Sequence, residues 1–159
     1  NLDFTQGWGA PSSTNISELA SWTEMEEPGI RFYSGMGSYH NNFDFHPAEA
    51  GERIYLDLGE LAELAEVWIN GQSLGITWTR PHMFDITDLV KEGSNRIKVE
   101  VANTWSNRLT GDAVLEEKFT KTNIAQANKN MVPWEQLPLR KSGLLGPVNL
   151  IRVKEIRSY

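Results

Sequence analysis

The stretch Ala65-Glu66-Val67-Trp68-Ile69-Asn70-Gly71-Gln72-Ser73-Leu74-Gly75-Ile76-Thr77 decides how this chain folds. Ala65, Val67 and Ile69 alternate with Leu64, Glu66 and Trp68, the period of two that gives a strand one apolar face. Asn70-Gly71 follows at once. Both residues tolerate positive φ, as a two-residue type I′ hairpin turn demands of both its central positions. The next strand, around residues 74–78, must then return antiparallel, and Gly75 permits a bend in it.

The same alternation recurs on both sides of the hairpin. Tyr39, Phe43 and Phe45 share a face opposite His40, Asn42, Asp44 and His46. Ile54, Leu56 and Leu58 alternate with Arg53, Tyr55 and Asp57. Ile97, Val99 and Val101 alternate with Arg96, Lys98 and Glu100, and a last strand spans about 148–156. Residues 1–29 read as an irregular lead-in with one short helix, capped by Asn15 or Ser17, carrying Leu19 and Trp22 on one face and stopped by Pro28-Gly29. Residues 87–90 read as one helical turn capped by Thr87. Residues 104–141 read as a long polar loop holding Trp105, Gly111, Pro133, Trp134 and Pro138, and a loop of that length is usually functional. At least seven short strands with almost no helix predict an all-β chain, a two-sheet β-sandwich spanning residues 1–159 as one domain.

Composition narrows the function. The chain has 159 residues, 40% hydrophobic and 23% charged, with a net charge of −6. An acidic chain of ordinary composition is a poor general binder of nucleic acid or of anionic membranes. The absence of cysteine excludes disulfides, thiolate-bound zinc and a cysteine nucleophile. No apolar run reaches the roughly 18 residues of a membrane span, and no secretory leader pattern is present. The first residue is Asn1, not Met, so the chain reads as a processed or excised piece, and a fragment can lack the catalytic part of its parent.

Catalytic constellations are hard to assemble from these residues. His40 and His46 lie six residues apart, about 20 Å along an extended strand, too far to share one ion. His82 beside Pro81 stands alone. Calcium held by loop carboxylates and carbonyls stays open, although no EF-type spacing occurs. The acidic groups Glu24, Glu26 and Glu27, then Glu60, Glu63 and Glu66, then Glu116 and Glu117, single out no converging pair. No Gly-x-Ser-x-Gly elbow is present, and Ser34-Gly35-Met36-Gly37 lacks the ending of a phosphate loop. Asn15-Ile16-Ser17 matches a glycosylation sequon, a pattern that chance also supplies.

Binding chemistry is better represented. A sugar site combines an aromatic face with planar polar side chains. Trp78 with Arg80 is one such cluster. Trp105, Asn107, Arg108 and Asp112 form a second at the start of the long loop. The competing structural reading has Trp68, Trp78 and Trp105 plugging the ends of the core while Arg108 and Asp112 pair to brace the loop.

Several stretches in order resemble a known family. They are Leu56-Asp57-Leu58-Gly59, Glu66-Val67-Trp68-Ile69-Asn70-Gly71 with Leu74-Gly75, Phe84-Asp85-Ile86-Thr87, Gly93-Ser94-Asn95-Arg96-Ile97, and Ser142-Gly143-Leu144-Leu145-Gly146-Pro147-Val148. The series resembles the sugar-binding β-sandwich domain of glycoside hydrolase family 2, a galactose-binding-like jelly roll. Asn107-Arg108-Leu109 with Gly111-Asp112, Ser21-Trp22-Thr23 and residues 29–35 bring it nearer the carboxy-terminal sandwich of bacterial family 106 alpha-L-rhamnosidase-like hydrolases. One departure stands out. Arg140-Lys141-Ser142-Gly143 is similar to the Arg-x-Ser-Gly motif of beta-galactosidase-type members, but Leu137 stands where those carry an acid.

The resemblance implies an accessory, non-catalytic module of an exported bacterial glycoside hydrolase, periplasmic, surface-bound or secreted, with no cofactor of its own. Its expected partner is the catalytic domain of the same parent chain, docked through residues 105–112 and the long loop, which requires an exposed apolar patch. The alternative is an independent carbohydrate-binding module, with Trp78 or Trp105 stacking on sugar and Arg80, Asn107, Arg108 and Asp112 hydrogen-bonding it. A free-standing glycosidase is the third reading.

Overall fold

A computed structural model describes residues 1–5, 7–47, 49–121 and 132–154. Among the described residues eleven strands are formed: β1 (Leu2–Phe4), β2 (Ser13–Thr14), β3 (Met36–Phe45), β4 (Glu52–Asp57), β5 (Glu60–Ala62), β6 (Leu64–Ile69), β7 (Gln72–Thr77), β8 (Met83–Asp85), β9 (Gly93–Ala102), β10 (Gly143–Gly146) and β11 (Asn149–Lys154). One layer is a six-stranded sheet in the order β2-β1-β3-β9-β6-β7. The facing layer is made by β11-β4-β8 and the short pair β10-β5. The strands pair antiparallel, so the chain is an all-β sandwich, as its alternation predicts.

The hairpin forms as read. Ile69 pairs with Gln72 across Asn70 (φ 52°) and Gly71 (φ 88°), both in the left-handed region that a type I′ turn needs. Val67 then faces Gly75 and Trp68 faces Ser73, so Leu74 is an extra residue in a bulge that Gly75, at φ 91°, can accommodate.

Burial follows parity. Ala65, Val67, Ile69, Val99 and Val101 from the six-stranded sheet meet Ile54, Leu56 and Leu58 in one core. At one end Trp22, wholly buried, packs edge-on against Phe4 and Tyr33. Its indole donates to Tyr39 Oη at 2.6 Å, and that oxygen also accepts from the Leu144 amide at 3.0 Å. Burial pushes the Tyr39 hydroxyl up to about 12 against the pull of both bonds, so it stays protonated.

Four local expectations change. The lead-in is not irregular: it supplies β1 and β2 to the six-stranded sheet and holds a 3-10 turn at Trp22–Glu24, where Ser21 Oγ accepts from the Thr23 amide, in place of a helix capped further upstream. Pro28 starts a helix, α1 (Pro28–Arg31), instead of stopping one, because its fixed φ suits a first helical position and Glu27 accepts from the Gly29 amide. The turn at 87–90 is capped by Asp85, not Thr87: Asp85 Oδ1 accepts from the Thr87 amide, while Thr87 Oγ1 accepts from the Ile54 amide. Residues 104–141 are no plain loop, since they contain the helix α2 (Ser106–Val114) and a 3-10 turn at Trp134–Gln136. The last strand runs to Lys154; positions 155 and 156 of the reading lie outside the described residues.

Candidate functional site

Helix α2 is short and has no side-chain cap at Trp105. Packing against its polar face holds it in place. Asn107, Arg108, Thr110 and Asp112 are all buried. Asn107 grips the backbone of Arg140 twice: its Nδ2 donates to the Arg140 carbonyl at 2.7 Å, and its Oδ1 accepts from the Arg140 amide at 2.8 Å. Nδ2 also reaches Ser142 Oγ at 2.8 Å. An amide side chain thus does a strand's work, fixing the segment before β10.

Arg108, with no exposed surface, lies back along its own helix. Nε stands 3.0 Å from Asp112 Oδ1, Nη1 donates to the Trp8 carbonyl at 3.3 Å, and the guanidinium covers the Phe119 ring at 5.0 Å. Gly111 is required beneath it, because a Cβ there would meet Arg108 Nη2 and, at 2.6 Å, the Cβ of Phe32. Asp112 also accepts from the Phe119 and Thr120 amides and from the Thr120 hydroxyl. Burial by itself raises the Asp112 carboxyl, but those bonds and the Arg108 charge outweigh it and hold the group below the usual carboxylate range. Burial lowers Arg108, and Asp112 opposes that shift.

The six residues picked from sequence therefore part company. Asn107, Arg108 and Asp112 are interior and bonded to the chain itself, whereas Trp105 is 55% exposed and Trp78 70% exposed. Trp105 packs at 4.9 Å, tilted 48°, on Trp8. Trp8 sits at φ 43° between Gly7 and Gly9, in a turn that the Arg108 guanidinium and the Phe119 ring pin. Arg80 extends into solvent, and its one ion pair among the described residues is a long, exposed contact of 3.8 Å to Glu60, an arrangement worth little. Nearby His82 is buried; burial first, then the Arg80 charge, lower its pKa, and its Nδ1 meets Thr77 Oγ1 at 2.9 Å. Among the described residues no three His, Asp or Glu side chains group as a metal site would need.

Sequence reasoning missed what surrounds Trp78. Strand register aligns the outward side chains of the six-stranded sheet in rows. Met36, Ala102 and Leu64 form one row, from Met36↔Ala102 and Leu64↔Ala102, and Trp78 continues it one step beyond Ala65↔Thr77. Met36, Leu64 and Trp78 are exposed, as is Ile76 in the next row. Trp105 follows three residues after Ala102. The signal was in the even-numbered positions, which alternation alone assigns to solvent. Trp68 shares that outward face, half-buried beneath Lys98, and does not plug the core.

A two-layer antiparallel sandwich with these buried turns defines a galactose-binding-like module. The family model for the glycosyl hydrolase 2 galactose-binding domain-like family matches residues 22–141, and the chain belongs to that family. It is 33% identical, over 94% of its length, to a protein of Formosa agariphila named "Putative beta-glucuronidase", and 32% identical over 64% of its length to a beta-galactosidase of Priestia megaterium. A rhamnosidase from Novosphingobium sp. PP1Y shares the fold with TM-score 0.81 and 34% identity over 96% of the chain. The likenesses to family 2 sandwiches and to a rhamnosidase, read from the ordered motifs, both hold. The chain spans 15% and 10% of those two curated relatives and 14% of the rhamnosidase, so it corresponds to a small accessory module of glycoside hydrolases.

Proposed function

We propose that this module docks on the catalytic domain of a larger glycoside hydrolase through the end of its six-stranded sheet. The observation that carries the reading is the exposed apolar row Met36, Leu64 and Trp78, with Ile76 beside it. Large apolar side chains gathered on one face of a small soluble domain mark a surface that another surface covers. The small share of each relative that the chain spans supports a parent with further domains.

The test is calorimetry of the full-length parent. The double variant Leu64→Ser, Trp78→Ser should split a coupled melting transition in two, while the isolated variant module melts within about 2 °C of its wild type, as surface changes do. One undivided transition in the variant parent would show that this face is not the contact.

A second reading, sugar stacking, is favoured by the Trp8–Trp105 corner, where an exposed indole is braced by a second. It predicts that a glycan quenches tryptophan fluorescence and that Trp105→Ala removes the response.

A further inference from the structure

The outer face of the six-stranded sheet changes character along its length. Two rows past the apolar end, His40 and Trp68 both pair with Lys98, and one row further Asn42 pairs with Arg96. Between them opens a basin of about 650 Å³ that Lys91 also lines. Its charged and titratable lining is His40, Lys91, Arg96 and Lys98, with no carboxylate. In a chain of net charge −6 that is a local inversion of sign.

Two of these groups are already balanced. Lys98 sits 4.1 Å above the Trp68 ring and 2.8 Å from Glu100, and His40 is 3.4 Å from Asp3. The side chains of Arg96, Lys91 and Asn42 have no ion pair or hydrogen bond among the described residues; the Asn42 backbone amide donates to Asn41 Oδ1. The floor is rigid. Asn70 donates to the Leu89 carbonyl and to Asn95 Oδ1 and accepts from the Arg96 amide, while the buried Asn95 holds the backbone of Lys91 and Gly93.

We infer that this basin binds an acidic saccharide, its carboxylate or sulfate ester held by Arg96 and Lys91 and its hydroxyls by Asn42. A guanidinium fork and an ammonium suit one planar or tetrahedral anion. The volume falls in the range of small-ligand sites, roughly 300–1,000 Å³, and the Trp68 edge gives an apolar wall. A long polyanion is disfavoured, because two free cations cannot offset repulsion from an acidic protein. Arg96 lies six residues, about 20 Å, from the docking row at Ala102, so the two surfaces can be occupied together and fail independently.

The test titrates the full chain with oligogalacturonate, a sulfated galactan oligosaccharide, their uncharged counterparts, inorganic sulfate and a single-stranded oligonucleotide, reading amide shifts of residues 91–98 and the Trp68 indole. At least one acidic saccharide should shift those signals, and the two acidic probes decide which anion is preferred. The uncharged counterpart should bind about tenfold more weakly, and the double variant Lys91→Gln, Arg96→Gln should lose about tenfold in affinity without a change in melting temperature. The inference is overturned if neither acidic saccharide moves the signals, if the double variant binds unchanged, or if the neutral sugar, free sulfate or the oligonucleotide binds as well.

Discussion

The polar cluster beneath α2 and the outer face of the six-stranded sheet use the same side chains to opposite ends. Both contain an arginine, an asparagine and an indole. Under the helix, Asn107 and Asp112 spend their hydrogen bonds on the chain itself, and Arg108 is closed between Asp112, Trp8 and Phe119. On the sheet, Arg96 and Asn42 project from a rigid floor into an open basin. A polar group buried against its own chain reports on architecture. An exposed and unpartnered one on a fixed support is available for recognition.

That contrast breaks first, if it breaks, at Arg108. Arg108→Met leaves Asp112 buried without its cation and should cost about 3–5 kcal/mol in urea unfolding; a loss below about 1 kcal/mol would place the cluster with the surface. Gly111→Ala pushes a methyl into the guanidinium and Phe32 and should cost about 1–3 kcal/mol by the same assay. Acid sharpens the comparison further. The Asp112 carboxyl is held below its unfolded value, so its ionised form stabilises the fold above the ordinary carboxylate range, and that contribution is lost as pH falls towards the folded value. Asp85 and Glu52 are lowered as well, so the informative quantity is the difference in slope between wild type and Asp112→Asn, which should be the flatter of the two. On the outer face, Trp78→Ala and Arg96→Gln should each move stability by less than about 0.5 kcal/mol.

Much of the sandwich was legible because alternation and a type I′ turn are local signals. Val67, Ile69, Ile54 and Leu56 can be assigned to the core from their own neighbours in sequence. Helix α2 was not legible, since Thr110, Gly111 and Asp112 are poor helix formers and only tertiary bonds compensate them. The burial of Asn107, Arg108 and Asp112 was hidden for a related reason. Their partners Arg140, Trp8 and Thr120 come from separate stretches, and no periodicity announces such meetings. Trp78 and Arg80 were singled out by side-chain type as a binding cluster, and both lie exposed, but the row that gives Trp78 company depends on register across three strands.

Asn103 carries a consequence for how the molecule assembles. Its Oδ1 accepts from the Gly35 amide, while its Nδ2 donates to the Tyr33 carbonyl and to Ser142 Oγ, each at 2.9 Å. Three segments far apart along the polypeptide must arrive before this one amide is satisfied, so the contact is expected to form late in folding. Asn103→Ala should accordingly hasten unfolding in stopped-flow mixing and leave the refolding rate nearly untouched.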